Sequence, residues 1–401
     1  MKEIIKITCC AIVLTFTNIL FAQGQIQQKP VVTGADRVDL YRSTFKSNTV
    51  AIVANQTSMV GNKHLVDTLL SRGANIQKIF CPEHGFRGNE DAGETVLNSK
   101  DPKTGIPIIS LYGKKLKPSA ADLKGIDFVI YDIQDVGVRY YTYISTLTYV
   151  MEACAENFVT LIILDRPNPN GFYVDGPVLE PKYKSFVGMH PIPIVYGMTV
   201  GELATMINEE GWLPNKLKCS IGVIPCHNYS HKTRYQLPVN PSPNLQNMRA
   251  VYLYPSLGLF EGTAMNVGRG TDFPFQVFGN PKFTDTTFSY VPKCAEKGRV
   301  NPPHCNKTCY GVDLRTVSEE ELMQGSQLNI DYLKYAYAHF REKDKFFNTF
   351  FENLCGTPLL RKQIISHTSA DSIRASWQPA LIKFKEIRKK YLIYEDFEIS
   401  L

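Results

Sequence analysis

The 401-residue chain lacks the marks of several large functional classes. It has no run of Lys or Arg and no interleaving of basic with aromatic residues, so no nucleic-acid surface is expected. No internal repeat or low-complexity segment interrupts it, which excludes solenoids and disordered scaffolds. A Gly-Lys-Ser/Thr phosphate loop is missing. Ser58 and Ser256, the candidate nucleophiles of an esterase or amidase, sit in no Gly-x-Ser-x-Gly elbow. Zinc sites need short, paired, repeated spacings. Cys294, His304, Cys305 and Cys309 offer one Cys-x3-Cys and no second pair, which fits a local disulfide or free thiols better than a metal.

Long apolar runs are also scarce. The one at the start, Ile7 to Phe21, follows Lys2 and Lys6 and ends at Ala22-Gln23. A basic start, a short apolar run and a small residue before a polar stretch describe a secretory signal peptide over residues 1–22. The run is shorter than the roughly 20 apolar residues of a spanning helix. Cleavage then yields an exported, periplasmic protein with no stable membrane insertion. Loss of the leader takes Cys9 and Cys10 with it, leaving eight of ten cysteines, and lowers the net charge from +6 to +5. That mild positive excess suits an anionic ligand.

What remains is globular: 44% apolar and 20% charged residues, in a chain long enough for two domains. Strand-like runs at Val50–Ala54, Ile79–Phe80, Ile106–Tyr112, Phe128–Tyr131 and Thr160–Leu164 alternate with helical stretches at His64–Leu70, stopped by Gly73, and Tyr140–Glu156. Strand–helix–strand repetition implies right-handed crossovers and a parallel sheet, hence an α/β, Rossmann-like domain over residues 23–194. Beyond it prolines become frequent, Thr199-Val200-Gly201-Glu202 reads as a capping box, and amphipathic helices run from Glu319 to Tyr391. A smaller α+β domain over 195–401 follows, with an active-site cleft between the two. The turn after the first strand, Asn55 to Gly61, lacks the glycine spacing that cradles a pyrophosphate, so no dinucleotide or other cofactor is expected.

Ligands of open parallel sheets bind outside the carboxyl ends of the strands. Those ends carry Asn55, Gln56 and Thr57; Glu83, His84 and Arg87; Asp132, Gln134, Asp135 and Arg139; and Asp165, Arg166 and Asn168. Pro82-Glu83-His84-Gly85-Phe86-Arg87-Gly88 stands out, because proline and glycines fix a tight loop that presents a carboxylate, an imidazole and a guanidinium together. Glycosyl transfer to water needs a proton donor for the leaving oxygen and a second group at the anomeric centre. Glu83 suits the first role, though pairing with Arg87 would be a structural alternative. Asp132 and Asp135 serve equally as partners or as bonds to loop amides. Asp165 and Arg166 look like a corner that holds loops. Arg139, followed by Tyr140, Tyr141 and Tyr143, and Arg269, between Gly268 and Gly270, are cations able to meet an anion; Glu261 lies nearby in sequence.

Six blocks at these positions resemble the signature blocks of the NamZ family. They are Cys81–Gly88, Asp135–Tyr143, Leu164–Pro169, Gly197–Leu203, Leu259–Thr263 and Gly268–Thr271, in order across nearly the whole chain after the leader. The resemblance implies an exo-acting β-N-acetylmuramidase that releases terminal N-acetylmuramic acid from the non-reducing ends of peptidoglycan fragments. It also implies a Rossmann-like domain joined to a smaller one across a cleft, no required metal, and a catalytic glutamate at Glu83. His84, Asp132 and Asp135 are its expected catalytic partners. Asn55, Arg87, Arg139, Tyr143, Glu261 and Arg269 are the expected substrate contacts, with Arg139 and Arg269 set against the lactyl carboxylate. Ala264 and Phe172 stand where many relatives have other residues, and both are expected near the cleft. A non-catalytic envelope protein that binds cell-wall sugars is the alternative; a metal hydrolase using His84, Asp132 and Asp135 is another.

Overall fold

Thr49–Ala54 forms β1, the centre of the molecule. Its side chains alternate between two cores, Val50, Ile52 and Ala54 in one and Ala51 and Val53 in the other, so neither face is wet, as a continuous β-branched run implies. A computed structural model describes residues 29–87, 98–296 and 300–398; the signal-peptide reading and Gly88 fall outside the described residues. Among the described residues no helix is long and apolar enough to cross a membrane.

A short hairpin follows, β2 (Met59–Val60) and β3 (Lys63–His64), and then β4 (Asn75–Cys81), β5 (Ser99–Lys100), β6 (Pro107–Ser110), β7 (Phe128–Asp132), β8 (Thr160–Leu164) and β9 (Ile221–Ile224). The main sheet runs β5-β6-β4-β1-β7-β8-β9, parallel throughout except for the β5–β6 pair. The chain winds outward from β1 through β4 to β6, then returns to β7 and winds the other way. This is the doubly wound order, with its reversal between β1 and β7. Helices α1 (Val38–Lys46) and α2 (Leu65–Ser71) bury Tyr41, Phe45 and Leu69 on one face. The other face takes α3 (Ala120–Leu123), α4 (Tyr143–Glu156) and α5 (Val200–Glu209), which bury Leu123, Leu147, Met151 and Leu203.

Local signals explain where these helices begin and stop. Gly73 closes α2 at φ +86, a conformation that only glycine adopts freely. Thr199 and Glu202 form the expected reciprocal capping box at the start of α5, worth about 1 kcal/mol. Helix α4 starts at Tyr143 and not at Tyr140, because Val138 bridges Val195 and the Arg139 amide donates to the Ile194 carbonyl at 2.8 Å.

The smaller part contributes α6 (Met248–Leu257), the antiparallel sheet β10 (Val277–Asn280), β11 (Phe288–Tyr290) and β12 (Cys309–Asp313), and helices α7 (Glu319–Gly325), α8 (Asp331–Ala338), α9 (Phe351–Cys355), α10 (Leu359–Ile365) and α11 (Ala370–Arg388). Strand β9 lies beyond residue 194 yet completes the main sheet, so the sheet does not end where the proline-rich texture begins. The two parts share one core: Leu147 and Tyr196 belong to the same packed cluster as Phe278, Phe351 and Trp377. The end of α11 and the residues after it return to the first part. Arg388 donates to the Gly197 carbonyl at 2.7 and 2.9 Å, and the Tyr394 hydroxyl donates to Asp165 at 2.6 Å.

Candidate active site

Strand β4 delivers Glu83. Pro82 opens a turn closed by the Gly85 amide on the Pro82 carbonyl at 3.1 Å, with His84 at φ +70 and Gly85 at φ +74. Two successive left-handed residues reverse the chain; the glycine does so without strain, while a non-glycine residue costs roughly 1–2 kcal/mol. Glu83 accepts a hydrogen bond from the Thr142 hydroxyl at 3.0 Å. Thr142 is the residue before α4 and makes no side-chain cap bond to it, so its hydroxyl serves the carboxylate instead.

Glu83 and His84 line a cavity of about 690 Å³ between the crest of the main sheet and the smaller part, a volume in the range of small-molecule sites. Tyr140, Tyr141 and Tyr254 form its wall, joined edge to face with Tyr143 and Phe275 at centroid separations of 4.7–5.8 Å. Such pairs contribute about 0.5–1.5 kcal/mol each beyond burial. The phenols are donors to backbone: Tyr141 and Tyr143 reach the Pro241 carbonyl at 2.8 and 3.2 Å, and Tyr140 reaches those of Tyr254 and Pro255. Burial holds all four phenols well above their ordinary pKa, so they stay protonated. They are fixed walls, not bases.

The second carboxylate lies beside this aromatic wall, where its partner Arg269 stands 5.1 Å from the Phe275 ring. Arg269 stands between Gly268 and Gly270, at φ +80 and +84, and its Nε and Nη2 donate to Glu261 Oε1 at 3.1 and 2.7 Å. Asn266 shapes this loop, accepting from the Gly268 amide at 2.6 Å and donating to the Arg269 carbonyl at 3.1 Å. Both charged side chains line the cavity and keep partial contact with solvent, so their pairing is weak enough for a ligand anion to enter it.

The remaining expected site residues are placed elsewhere. Asp132 is inaccessible and held bidentately by Arg166 at 2.5 and 2.9 Å, so it reaches no substrate. Asp135 is buried under Tyr196, whose hydroxyl donates to it together with the Gly137 amide. Arg139 is fully buried and donates to the Pro177, Ile192 and Leu354 carbonyls at 2.7, 2.7 and 2.9 Å; it joins chain segments and is no lactyl clamp. Asn55 is buried and accepts from Thr57, and Tyr143 lies behind Tyr141. Arg87 pairs with the buried Asp101 at 2.7 Å, not with Glu83. Phe172 is buried beneath Arg234, and Ala264 is held through its backbone, its carbonyl accepting at Asn280 and His304 and its amide donating to the Phe346 carbonyl at 2.7 Å; neither lines the cavity. Asp165 and Arg166 hold loops, as their position at the corner suggests. Ser58 donates to the Asp132 carbonyl and Ser256 accepts from the Asn329 amide. Among the described residues no three His, Cys, Asp or Glu side chains converge as metal ligands. Cys294 and Cys305 form a disulfide, and Cys294 lines the cavity. Tyr112, Phe186 and Tyr254 line it too; no spacing or turn signal in the sequence distinguishes them from core aromatics.

A doubly wound sheet whose crest opens on a cavity of small-molecule size, with two carboxylates, a guanidinium and aromatic walls, carries the groups that glycoside hydrolysis requires. Residues 50–249 and 252–394 match the N-terminal and C-terminal models of exo-β-N-acetylmuramidase NamZ, and the chain belongs to that family. It is 36% identical over 393 residues to the peptidoglycan β-N-acetylmuramidase NamZ of Bacillus subtilis (strain 168), covering 93% of this chain and 94% of that protein. Two crystal structures of DUF1343 family proteins from Bacteroides fragilis NCTC 9343 share the fold. One is 51% identical with a TM-score of 0.85, covering 92% of this chain and 99% of its own. The other is 28% identical with a TM-score of 0.76, covering 91% and 99%.

Proposed function

We propose that this protein is an exported, periplasmic exo-β-N-acetylmuramidase that hydrolyses terminal N-acetylmuramic acid from the non-reducing ends of peptidoglycan fragments, with Glu83 as its acid/base. The observation that carries the reading is the placing of Glu83 in one cavity with Glu261 and Arg269. Glu83 would give its proton to the departing glycosidic oxygen as the C–O bond breaks. Water then adds to the anomeric carbon, its proton leaving to a carboxylate. Arg269 would meet the lactyl carboxylate that distinguishes muramic acid from glucosamine. A lactyl-free sugar would leave Arg269 with Glu261 alone and forgo that added charge-assisted bond, which disfavours it. His84, next to Glu83 and mostly buried, would fix the loop.

The test compares a chromogenic β-N-acetylmuramide with the matching N-acetylglucosaminide. Wild type is expected to release chromophore from the muramide, and Glu83→Gln to lose about 10²–10⁴-fold in kcat/KM. Release from neither sugar by wild type, with binding retained, identifies a sugar-binding protein instead.

A further inference from the structure

Besides the buried tyrosine wall, the cavity has a second aromatic cluster that the reaction just described does not use. Tyr112 and Phe186 both line the cavity and are partly exposed, with ring centroids 6.1 Å apart. Tyr149, from α4, lies nearly parallel behind Phe186 at 6.4 Å. The support of Phe186 is specific. Ser185 and Gly188 exchange backbone hydrogen bonds at 2.9 and 3.1 Å, which leaves Phe186 and Val187 as the two central residues of a tight turn. Ser145, also on α4, donates to the Phe186 carbonyl at 2.6 Å. A ring held at the tip of a braced turn, backed by a second ring and still partly exposed, is a built surface.

Its position relative to Glu83 gives it a role. Tyr112 follows β6, the neighbour of β4, and the Leu111 amide donates to the Cys81 carbonyl at 2.8 Å, so Tyr112 is anchored beside the loop that bears Glu83. Arg269, by contrast, stands over Phe275, which packs on Tyr254 in the buried cluster. An exo-acting site must enclose the terminal sugar and let the rest of the substrate leave past the acid. The enclosed cluster suits the terminal sugar, and the partly exposed rings suit what is attached to it.

We propose that Phe186, with Tyr112 beside it and Tyr149 behind it, is the platform on which the sugar ring beyond the scissile bond stacks. The ligand class is a β-linked N-acetylhexosamine whose axial C–H face covers the aromatic ring. The proposal rests on the muramidase reading above and names its leaving-group subsite.

The experiment measures kcat/KM for two substrates that share the terminal sugar: N-acetylmuramyl-β-1,4-N-acetylglucosamine, and β-N-acetylmuramyl fluoride, whose leaving group is a single atom. The disaccharide-to-fluoride ratio is expected to fall about tenfold in Phe186→Ala, mainly through KM of the disaccharide, and to return in Phe186→Trp. Phe186→Leu keeps the bulk without the flat face, and it carries the test if the alanine variant does not fold. An unchanged ratio in a folded Phe186→Ala or Phe186→Leu variant overturns the platform while leaving the muramidase intact. So does an equal fall in Phe350→Ala, on another exposed stretch of the rim. Wild type that cleaves neither substrate overturns the muramidase reading itself.

Discussion

Removing Arg166 should unfold this enzyme at a lower temperature without disarming it. Its Nε and Nη2 hold Asp132 at 2.5 and 2.9 Å, and Nη2 also donates to the Met59 carbonyl at 2.8 Å. Both side chains are essentially inaccessible. For such a pair desolvation and attraction nearly cancel, so its net contribution is small, whereas deleting one partner strands the other and costs about 3–5 kcal/mol. In a chain of this size, with about 2.1 cal/mol/K of unfolding entropy per residue, that corresponds to a fall in Tm of roughly 4–6 °C. Burial already pushes the Asp132 carboxyl above its ordinary range, with Arg166 opposing. In Arg166→Met the opposition is gone. A raised folded pKa means stability that is present at low pH and lost as pH rises, so the deficit should be larger at pH 8 than at pH 5. Thermal melts at both values, on Arg166→Met, Asp132→Leu and the double variant, check this; the double should recover most of the loss. Steady-state kinetics at 25 °C complete the assay. Single variants within about 1 kcal/mol of wild type, combined with collapsed kcat/KM, would refute the reasoning and return Asp132 to the chemistry.

Two further outcomes follow from the same geometry. Asp135 is fully buried, one of its oxygens finds no partner among the described residues, and burial raises its pKa to about 6. Wild type should therefore lose stability as pH climbs through 6. The Tm of Asp135→Asn should fall less between pH 5 and pH 8, and parallel slopes would contradict the assignment. Arg269→Ala should lower kcat/KM for muramic-acid substrates about 10–100-fold, the worth of one charge-assisted hydrogen bond, with only a small change in Tm because its ion pair is partly exposed. Unchanged kcat/KM would remove Arg269 from lactyl recognition.

How much of this was legible in the sequence depended on distance along the chain. Strands β1, β7 and β8 announce themselves because burial on both faces demands unbroken apolar runs. Strand β9 does not: it is a four-residue edge strand, interrupted by Gly222, only partly buried and followed at once by Pro225. The turn that presents Glu83 to the cavity was legible because the residues that make it are its own neighbours. Asp132, Asp135 and Arg139 were misplaced for the opposite reason. A charge at the end of a strand looks available unless one knows what answers it, and Arg139 is answered by carbonyls up to 215 residues away. The platform rings had no local signature at all, since exposure of a phenylalanine is a property of the assembled surface.

The return of the chain end to the first part bears on how the protein can be made. The corner at Asp165 stays incomplete until Tyr394 arrives, so the ribosome must release nearly everything before that corner can close. A fragment ending near residue 250 would offer half of a shared interior to solvent. Neither family segment should be a viable product alone, and nicking between them should release no independent half.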